Sequence, residues 1–276
     1  MDSWLVNGVA GDTIKLDDRG FSYGDGLFET IAVRNGACRF LDNHLQRLEE
    51  GCSRLRIPFR EHGMLRTEVT QLAAAVANGA AKLIVTRGRG PRGYRLPDVC
   101  MPTRIVGVQE TQPVACPAAG VALRYCETPI TRNPALAGLK TLNRLEQVLA
   151  RAEWSDTDIA EGLMLNDRQE VVCGTMTNVF FVRDGMLYTP QLSESGVNGI
   201  MRQQVLAVAG EKGIDVREVA VSKSELSQAD EIFLTNALIG LWPVSQLDCQ
   251  SFGRGPTSAA ICAGLAARGV TECAAL

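Results

Sequence analysis

Residues 27–34, Leu-Phe-Glu-Thr-Ile-Ala-Val-Arg, read as a β-strand, and the Asn35-Gly36 pair that follows is a hairpin turn. Asn and Gly tolerate the positive φ angles that a tight turn between antiparallel strands demands. Arg39-Phe40-Leu41 is the expected partner. An antiparallel pair this early rules out an all-helical fold and a purely parallel sheet. Helical spacing follows at once. Asp42 suits a helix cap, and Leu45, Leu48 and Cys52 recur on one face toward Leu55. A second helix is expected from about Glu61 to Val76.

The same alternation of strand and helix signals continues along the chain. Trp4-Leu5-Val6-Asn7-Gly8 reads as a short strand ending in a turn, and Asp17 to Gly26 as a loop rich in Asp and Gly. Strands are expected at Lys82–Arg87, Thr103–Val108, Val121–Cys126, Gly162–Leu165, Asn178–Val182, Met186–Thr189 and Glu231–Thr235. Helices are expected at Leu142–Glu153, Ile200–Gly210, Ser222–Leu226 and Thr257–Ala267. This order specifies an α+β protein with mixed sheets. The loop-like run Gln112-Pro113-Val114-Ala115-Cys116-Pro117 divides it. We expect a domain at 1–112, a linker at 113–120 and a second domain at 121–276.

With 46% apolar and 21% charged residues, the chain has the composition of a globular protein. A net charge of −3 and the lack of a basic run argue against a nucleic-acid partner. No apolar stretch approaches a membrane span, and Met1-Asp2-Ser3-Trp4 carries no signal-peptide pattern, so a cytoplasmic location is expected. The nine cysteines are scattered and form no Cys-x-x-Cys pair, and only His44 and His62 could join them. A metal site is therefore not expected, and the cysteines read as free, mostly buried thiols.

Four segments are suited to chemistry. Lys140 stands between the loop Asn133-Pro134-Ala135-Leu136-Ala137-Gly138 and the helical spacing of Leu142, Leu145, Val148 and Leu149. It is one of five lysines, and unlike arginine its amine can lose a proton and attack a carbonyl. His44-Leu45-Gln46-Arg47 places His44 and Arg47 on one helix face. Gly196-Val197-Asn198-Gly199-Ile200-Met201-Arg202 is a glycine-rich turn opening a helix, where unpaired amides receive phosphate. Thr235-Asn236-Ala237-Leu238 puts polar groups at a strand exit. A further loop, Gly88-Arg89-Gly90-Pro91-Arg92-Gly93-Tyr94-Arg95, offers arginines that can fork onto carboxylates. Phosphate donors, an arginine and a nucleophilic lysine together suggest pyridoxal phosphate.

In order and spacing these segments, with Phe21-Ser22-Tyr23-Gly24-Asp25-Gly26-Leu27-Phe28-Glu29-Thr30, resemble the fold-type IV pyridoxal-phosphate enzymes over nearly the whole chain. Within that group, residues 132–147 and 87–94 look like the aminodeoxychorismate lyase branch. The resemblance implies a smaller N-terminal α/β sandwich domain and a larger C-terminal cofactor-binding domain with a barrel-like mixed sheet. It implies that Lys140 holds the cofactor covalently and acts as general base and acid. Arg47 would pair with the cofactor phosphate, helped by Ile200, Met201, Asn236 and Ala237. Thr30, Arg92 and Tyr94 would hold the carboxylates of the substrate, 4-amino-4-deoxychorismate, which breaks down to 4-aminobenzoate and pyruvate on the way to folate. A homodimer is implied as well. D-amino-acid and branched-chain aminotransferases are the alternative on the same scaffold.

One position departs from the resemblance. Where the family carries a glutamate facing the pyridine nitrogen, before Gly174-Thr175-Met176-Thr177-Asn178, this chain has Cys173. A neutral thiol cannot stabilise a pyridinium as a carboxylate does. Glu170 lies three residues earlier, and this odd spacing on a strand points it to the opposite face, so it is a poor substitute. Cys173 is then either a small core residue or the mark of a catalytically weakened cofactor-binding variant.

Overall fold

The computed structural model describes residues 3–115 and 119–273. It divides into two compact units, one formed by Met1–Pro113 with Leu139–Asn143, the other by Val114–Gly138 with Arg144–Leu276. Cys116 and Pro117 of the expected linker lie outside the described residues.

The first unit contains strands β1 (Ser3–Val6), β2 (Val9–Ala10), β3 (Gly26–Arg34), β4 (Ala37–Cys38), β5 (Asn78–Thr86) and β6 (Thr103–Glu110). Helices α1 (Arg19–Tyr23), α2 (Leu41–Arg54) and α3 (His62–Ala73) accompany them. The sheet order is β2-β1-β6-β5-β3-β4, and every pairing is antiparallel. The hairpin forms at Asn35 and Gly36, with φ of 50° and 75°, but its partner is only Ala37–Cys38. The chain then turns into α2 through Phe40, whose φ is 53°, so the cap lies two residues before Asp42. Leu27, Ile31 and Val33 face Leu45, Leu48, Leu65 and Val69 of the two helices in one apolar core. Phe28 and Thr30 alternate onto the other, half-buried face.

The stretch expected as a loop at Asp17–Gly26 holds α1. Asp18 caps it by accepting from the Gly20 amide at 2.8 Å, and Gly24 (φ 66°) closes it. The Asp and Gly residues here are the start and stop signals of a one-turn helix.

Because β4 covers only the end of β3, the rest of that edge is open to another segment. Residues 140–142 take it. The Phe28 amide donates to the Lys140 carbonyl at 3.0 Å, and the Leu142 amide donates to Gly26 at 3.0 Å. Gly26 permits the approach, since a Cβ there would meet Leu142 Cδ1 at 2.8 Å and the Val85 carbonyl at 2.6 Å.

The second unit is built on β7 (Val121–Tyr125), β8 (Ile159–Leu165), β9 (Val171–Gly174), β10 (Asn178–Arg183), β11 (Met186–Pro190), β12 (Val216–Val219), β13 (Glu231–Asn236), β14 (Gly240–Leu247) and β15 (Gln250–Ser251). Its helices are α4 (Leu145–Arg151), α5 (Ile200–Glu211), α6 (Lys223–Ser227) and α7 (Pro256–Ala267). The sheet is mixed, in the order β12-β11-β10-β13-β14-β7-β8-β9 with β15 beside β14, and the pairs β11–β12, β14–β7 and β7–β8 are parallel. Phe180 and Phe233 stack at 5.1 Å inside it. Helix α4 is shorter than the sequence suggests, because Leu142 is already held in extended pairing. Its apolar residues Leu145, Val148 and Leu149 are exposed rather than packed. No described helix is long and apolar enough to cross a membrane.

Candidate active site

In the first unit, extended pairing on the β3 edge directs the Lys140 side chain to the face that carries Phe28. Its Nζ lies 4.1 Å from the Phe28 ring centroid. On the other side of β3, Lys82 pairs in register with Thr30, and its Nζ also lies 4.1 Å from that centroid. Burial lowers the pKa of Lys82. Thr30, Phe28, Lys82 and Lys140 thus share one face of a three-strand patch.

The opposite face of β3 carries Glu29, which is 1% exposed. His44 Nδ1 lies 2.7 Å from its Oε2, and Arg47 donates from Nε to Oε1 at 2.8 Å and from a second nitrogen to Oε2. Burial opposes ionisation of Glu29. The charge of Arg47 and the bonds from His44 and Arg47 outweigh it and hold the carboxyl below the usual glutamate range. Burial also pushes the His44 imidazole down, against the pull of Glu29. The helix face read from His44 and Arg47 is therefore a buried ionic cluster. Glu29, its acceptor, was legible as the one acidic residue alternating with Leu27 and Ile31.

Arg92 and Tyr94 stand on an exposed loop. Tyr94 is 85% exposed and its ring lies 5.5 Å from that of Tyr23. The loop is anchored through Gly93, whose carbonyl accepts from Arg19 at 2.9 Å and whose amide donates to the Tyr23 hydroxyl at 3.0 Å.

In the second unit, the turn before α5 is tied by Gly138, two residues ahead of Lys140 in the chain. The Gly138 amide donates to Gly196, and the Asn198 amide returns to Gly138, each at 3.0 Å. Gly199 caps α5 without a side-chain bond, so no cap side chain takes up the amides at the helix start, Ile200 and Met201. A Cβ on Gly199 would meet Asn178 Oδ1 at 2.2 Å. Asn178 in turn donates to the Val197 carbonyl at 3.0 Å, locking the turn. Helix α5 packs on β13, whose Thr235 is fully buried with no described partner for its hydroxyl. Asn236 Oδ1 accepts from the Leu238 and Ile239 amides at 2.9 and 3.0 Å, closing the turn that contains Ala237.

Cys173 lies in β9 opposite Met164 and sits in an apolar cluster with Cys126, Trp154 and Val172. Burial pushes its thiol up to about 12, Glu161 adding to the effect and Arg144 opposing it. Neither neighbouring glutamate substitutes for a carboxylate at 173. Glu161 is taken up by the amides of Gly162, Thr175 and Met176, each at 3.0 Å, and by the Thr175 and Thr177 hydroxyls. Glu170 precedes β9 and accepts from Asn166 Nδ2 at 2.7 Å.

The sequence matches the amino-transferase class IV family model over residues 26–247. An aminodeoxychorismate lyase of Vibrio harveyi is 36% identical over 87% of this chain and 89% of its own length. A D-alanine aminotransferase of Bacillus licheniformis is 29% identical over 88% of this chain and 86% of its own. The crystal structure of 4-amino-4-deoxychorismate lyase from Pseudomonas aeruginosa superimposes with a TM-score of 0.90 at 45% identity, covering 98% of this chain and 99% of that one. The lysine strap on β3, the glycine turn before α5 and this match across both units lead to one conclusion: the chain belongs to the class IV amino-transferase family.

Proposed function

We propose that this protein is a pyridoxal-phosphate-dependent lyase that converts 4-amino-4-deoxychorismate to 4-aminobenzoate and pyruvate. The observation that carries the reading is the seat of Lys140, whose backbone is fixed on the β3 edge while its amine lies over Phe28. The likeness to lyases at 36% and 45% identity selects this reaction over transamination.

The residues fit the cofactor at two of three places. Lys140 would hold it covalently. The uncapped start of α5, with Ile200 and Met201, and the unpartnered buried hydroxyl of Thr235 suit its phosphate end. We assign Arg47, Asn236 and Ala237 to the same end, although Arg47 already gives two nitrogens to Glu29. The third place, Cys173, does not fit a pyridinium, because a thiol with its pKa near 12 stays neutral.

When bound, the cofactor supplies an electron sink for the carbon that bears the substrate nitrogen. Lys140 supplies what the sink does not, removing the proton at that carbon and returning one where the reaction requires it. Its strap fixes the amine's position, so orientation is set before substrate arrives. Loss of the enolpyruvyl group leaves an aromatic ring, which makes the step favourable. Thr30 is oriented by β3 toward the same face as Lys140, and Arg92 and Tyr94 are our candidates for closing over the substrate carboxylates.

We assign the protein to the cytoplasm as a homodimer. Eight free cysteines among the described residues suit a reducing compartment. The exposed Tyr94, Val99 and Met101 of the loop between β5 and β6 suit a subunit contact.

The test is purified protein with aminodeoxychorismate, scored for both products. Equal amounts of 4-aminobenzoate and pyruvate are expected, and Lys140→Ala abolishes them. Absence of both products with cofactor bound, or amino transfer between an amino acid and a keto acid as the main reaction, overturns the proposal.

A further inference from the structure

The patch around Phe28 holds a second amine that the reaction above leaves unused. Lys82 comes from β5 and Lys140 from the strap on the opposite side of β3, and each lies 4.1 Å from the Phe28 centroid. Their nitrogens are therefore no more than twice that distance apart. Register makes the placement rigid. Lys82 pairs with Thr30 and its neighbour Ile84 pairs with Phe28, so Lys82 emerges on the face that carries Thr30, Phe28 and Lys140. It is half-buried, and no carboxylate among the described residues pairs with it.

Removing an ammonium from water without a counter-charge is costly, and an anion arriving beside it would offset that cost. Three arginines of this unit have carboxylate partners. Arg47 has Glu29, Arg87 has Asp25, and Arg104 has Glu68. Lys82 instead faces a ring, whose π-cloud offsets only part of the charge. A molecule seated beside Lys140 would bring one carboxylate within reach of this amine and of the Thr30 hydroxyl.

We propose that Lys82 anchors a carboxylate of the substrate and thereby favours dicarboxylates over simple amino acids. This rests on the lyase reading, whose substrate carries two carboxylates, and it adds to that reading a cation on the rigid sheet. Arg92, by contrast, stands on the exposed loop.

The experiment compares the parental holoenzyme with Lys82→Met, which keeps an unbranched stem, and with Lys82→Arg, which keeps the charge. Two measurements are made: steady-state kinetics with aminodeoxychorismate, and calorimetric binding of chorismate, which has both carboxylates but no amine. In Lys82→Met, KM is expected to rise about 10- to 100-fold with kcat within about threefold, as for a lost charge-assisted bond. Chorismate binding should weaken by the same factor, and Lys82→Arg should recover most of both. The cofactor absorption band should not move, and the melting temperature of Lys82→Met should not fall. Equal chorismate affinity in parental protein and Lys82→Met, no chorismate binding by the parental protein, or a fall in kcat with KM unchanged overturns the proposal. If the parental protein binds chorismate through Lys82 yet makes no 4-aminobenzoate, the anchor stands and the lyase reading fails.

Discussion

Glu29 in the first unit and Cys173 in the second are both withdrawn from solvent, and they solve burial in opposite ways. Glu29 keeps its charge because α2 delivers His44 and Arg47 to the two carboxylate oxygens. Cys173 carries no charge and needs no such partners, so it rests among Trp154, Met164 and Val172. The first arrangement fails when one partner is removed, because the remaining charges stay buried. The second tolerates change in itself but offers nothing to a cationic ligand. A buried charge is thus a commitment by several residues, whereas a buried thiol commits only its own position.

The sharpest way to break this contrast is Glu29→Leu. It leaves Arg47 and His44 without their acceptor and should cost about 3–5 kcal/mol, read from urea unfolding. Cys173→Ala in the same assay should cost roughly 1 kcal/mol. Next in size is Cys173→Glu, which puts a carboxylate beside the charge of Arg144. At matched cofactor occupancy it should raise the rate of 4-aminobenzoate formation about tenfold, near 1.4 kcal/mol of barrier. An equal or lower rate would count against a weakened sink.

Acid and alkali separate the two positions further. The pKa of His44 is depressed, so its contribution is complete above the ordinary value of 6.5 and declines as pH falls. Glu29 follows below its ordinary value of 4.5, again because the folded-state pKa is the lower one. Cys173 has the opposite sign. Its contribution is complete below the ordinary thiol value of 9.0 and is lost as pH rises toward about 12. Cys173→Ala should therefore recover on the order of 1 kcal/mol at pH 10 relative to neutral pH, while leaving the acid limb untouched. Stability measured across pH in the two variants checks both signs.

The smallest effect belongs to a position between these extremes. Thr235 buries a hydroxyl with no described partner. Thr235→Val should leave folding without cofactor within about 1 kcal/mol of the parental protein, or improve it. Weaker cofactor binding in the same variant, by fluorescence titration, would show that the hydroxyl serves the ligand.

What could be read in advance follows from how local each signal is. The β3 hairpin was legible because period-two patterning and Asn35-Gly36 act within a few residues. Helix α1 was not, because Asp18 and Gly24 have the same composition whether they form a loop or cap a turn. The spacing of Leu145, Val148 and Leu149 announced a helix face but could not say what covers it, and in this chain they are exposed. The residues alone suggested a cofactor for Lys140, and the resemblance supplied the role proposed for it. Its seat on β3 depends on a pairing across most of the first half of the chain, which no local pattern encodes. Lys82 was missed for the same reason, since only the register with Thr30 places it beside Phe28.

The strap at residues 140–142 also bears on how the protein is made. Leu27 bridges Thr141, so the β3 edge closes only after the ribosome has released the chain well past Pro113. Closing so long a loop forgoes several kcal/mol of chain entropy, by about (3/2)RT ln n plus a constant, for a handful of backbone bonds. A fragment ending at Pro113 would carry every strand of the first sheet and still lack both the amine and the segment that seals its edge. Lys140, the proposed nucleophile, then belongs to the last segment of the first unit to reach its place. A chain truncated at Pro113 has a first unit without Lys140, so covalent capture of an aldehyde at that residue would report on the completed first unit.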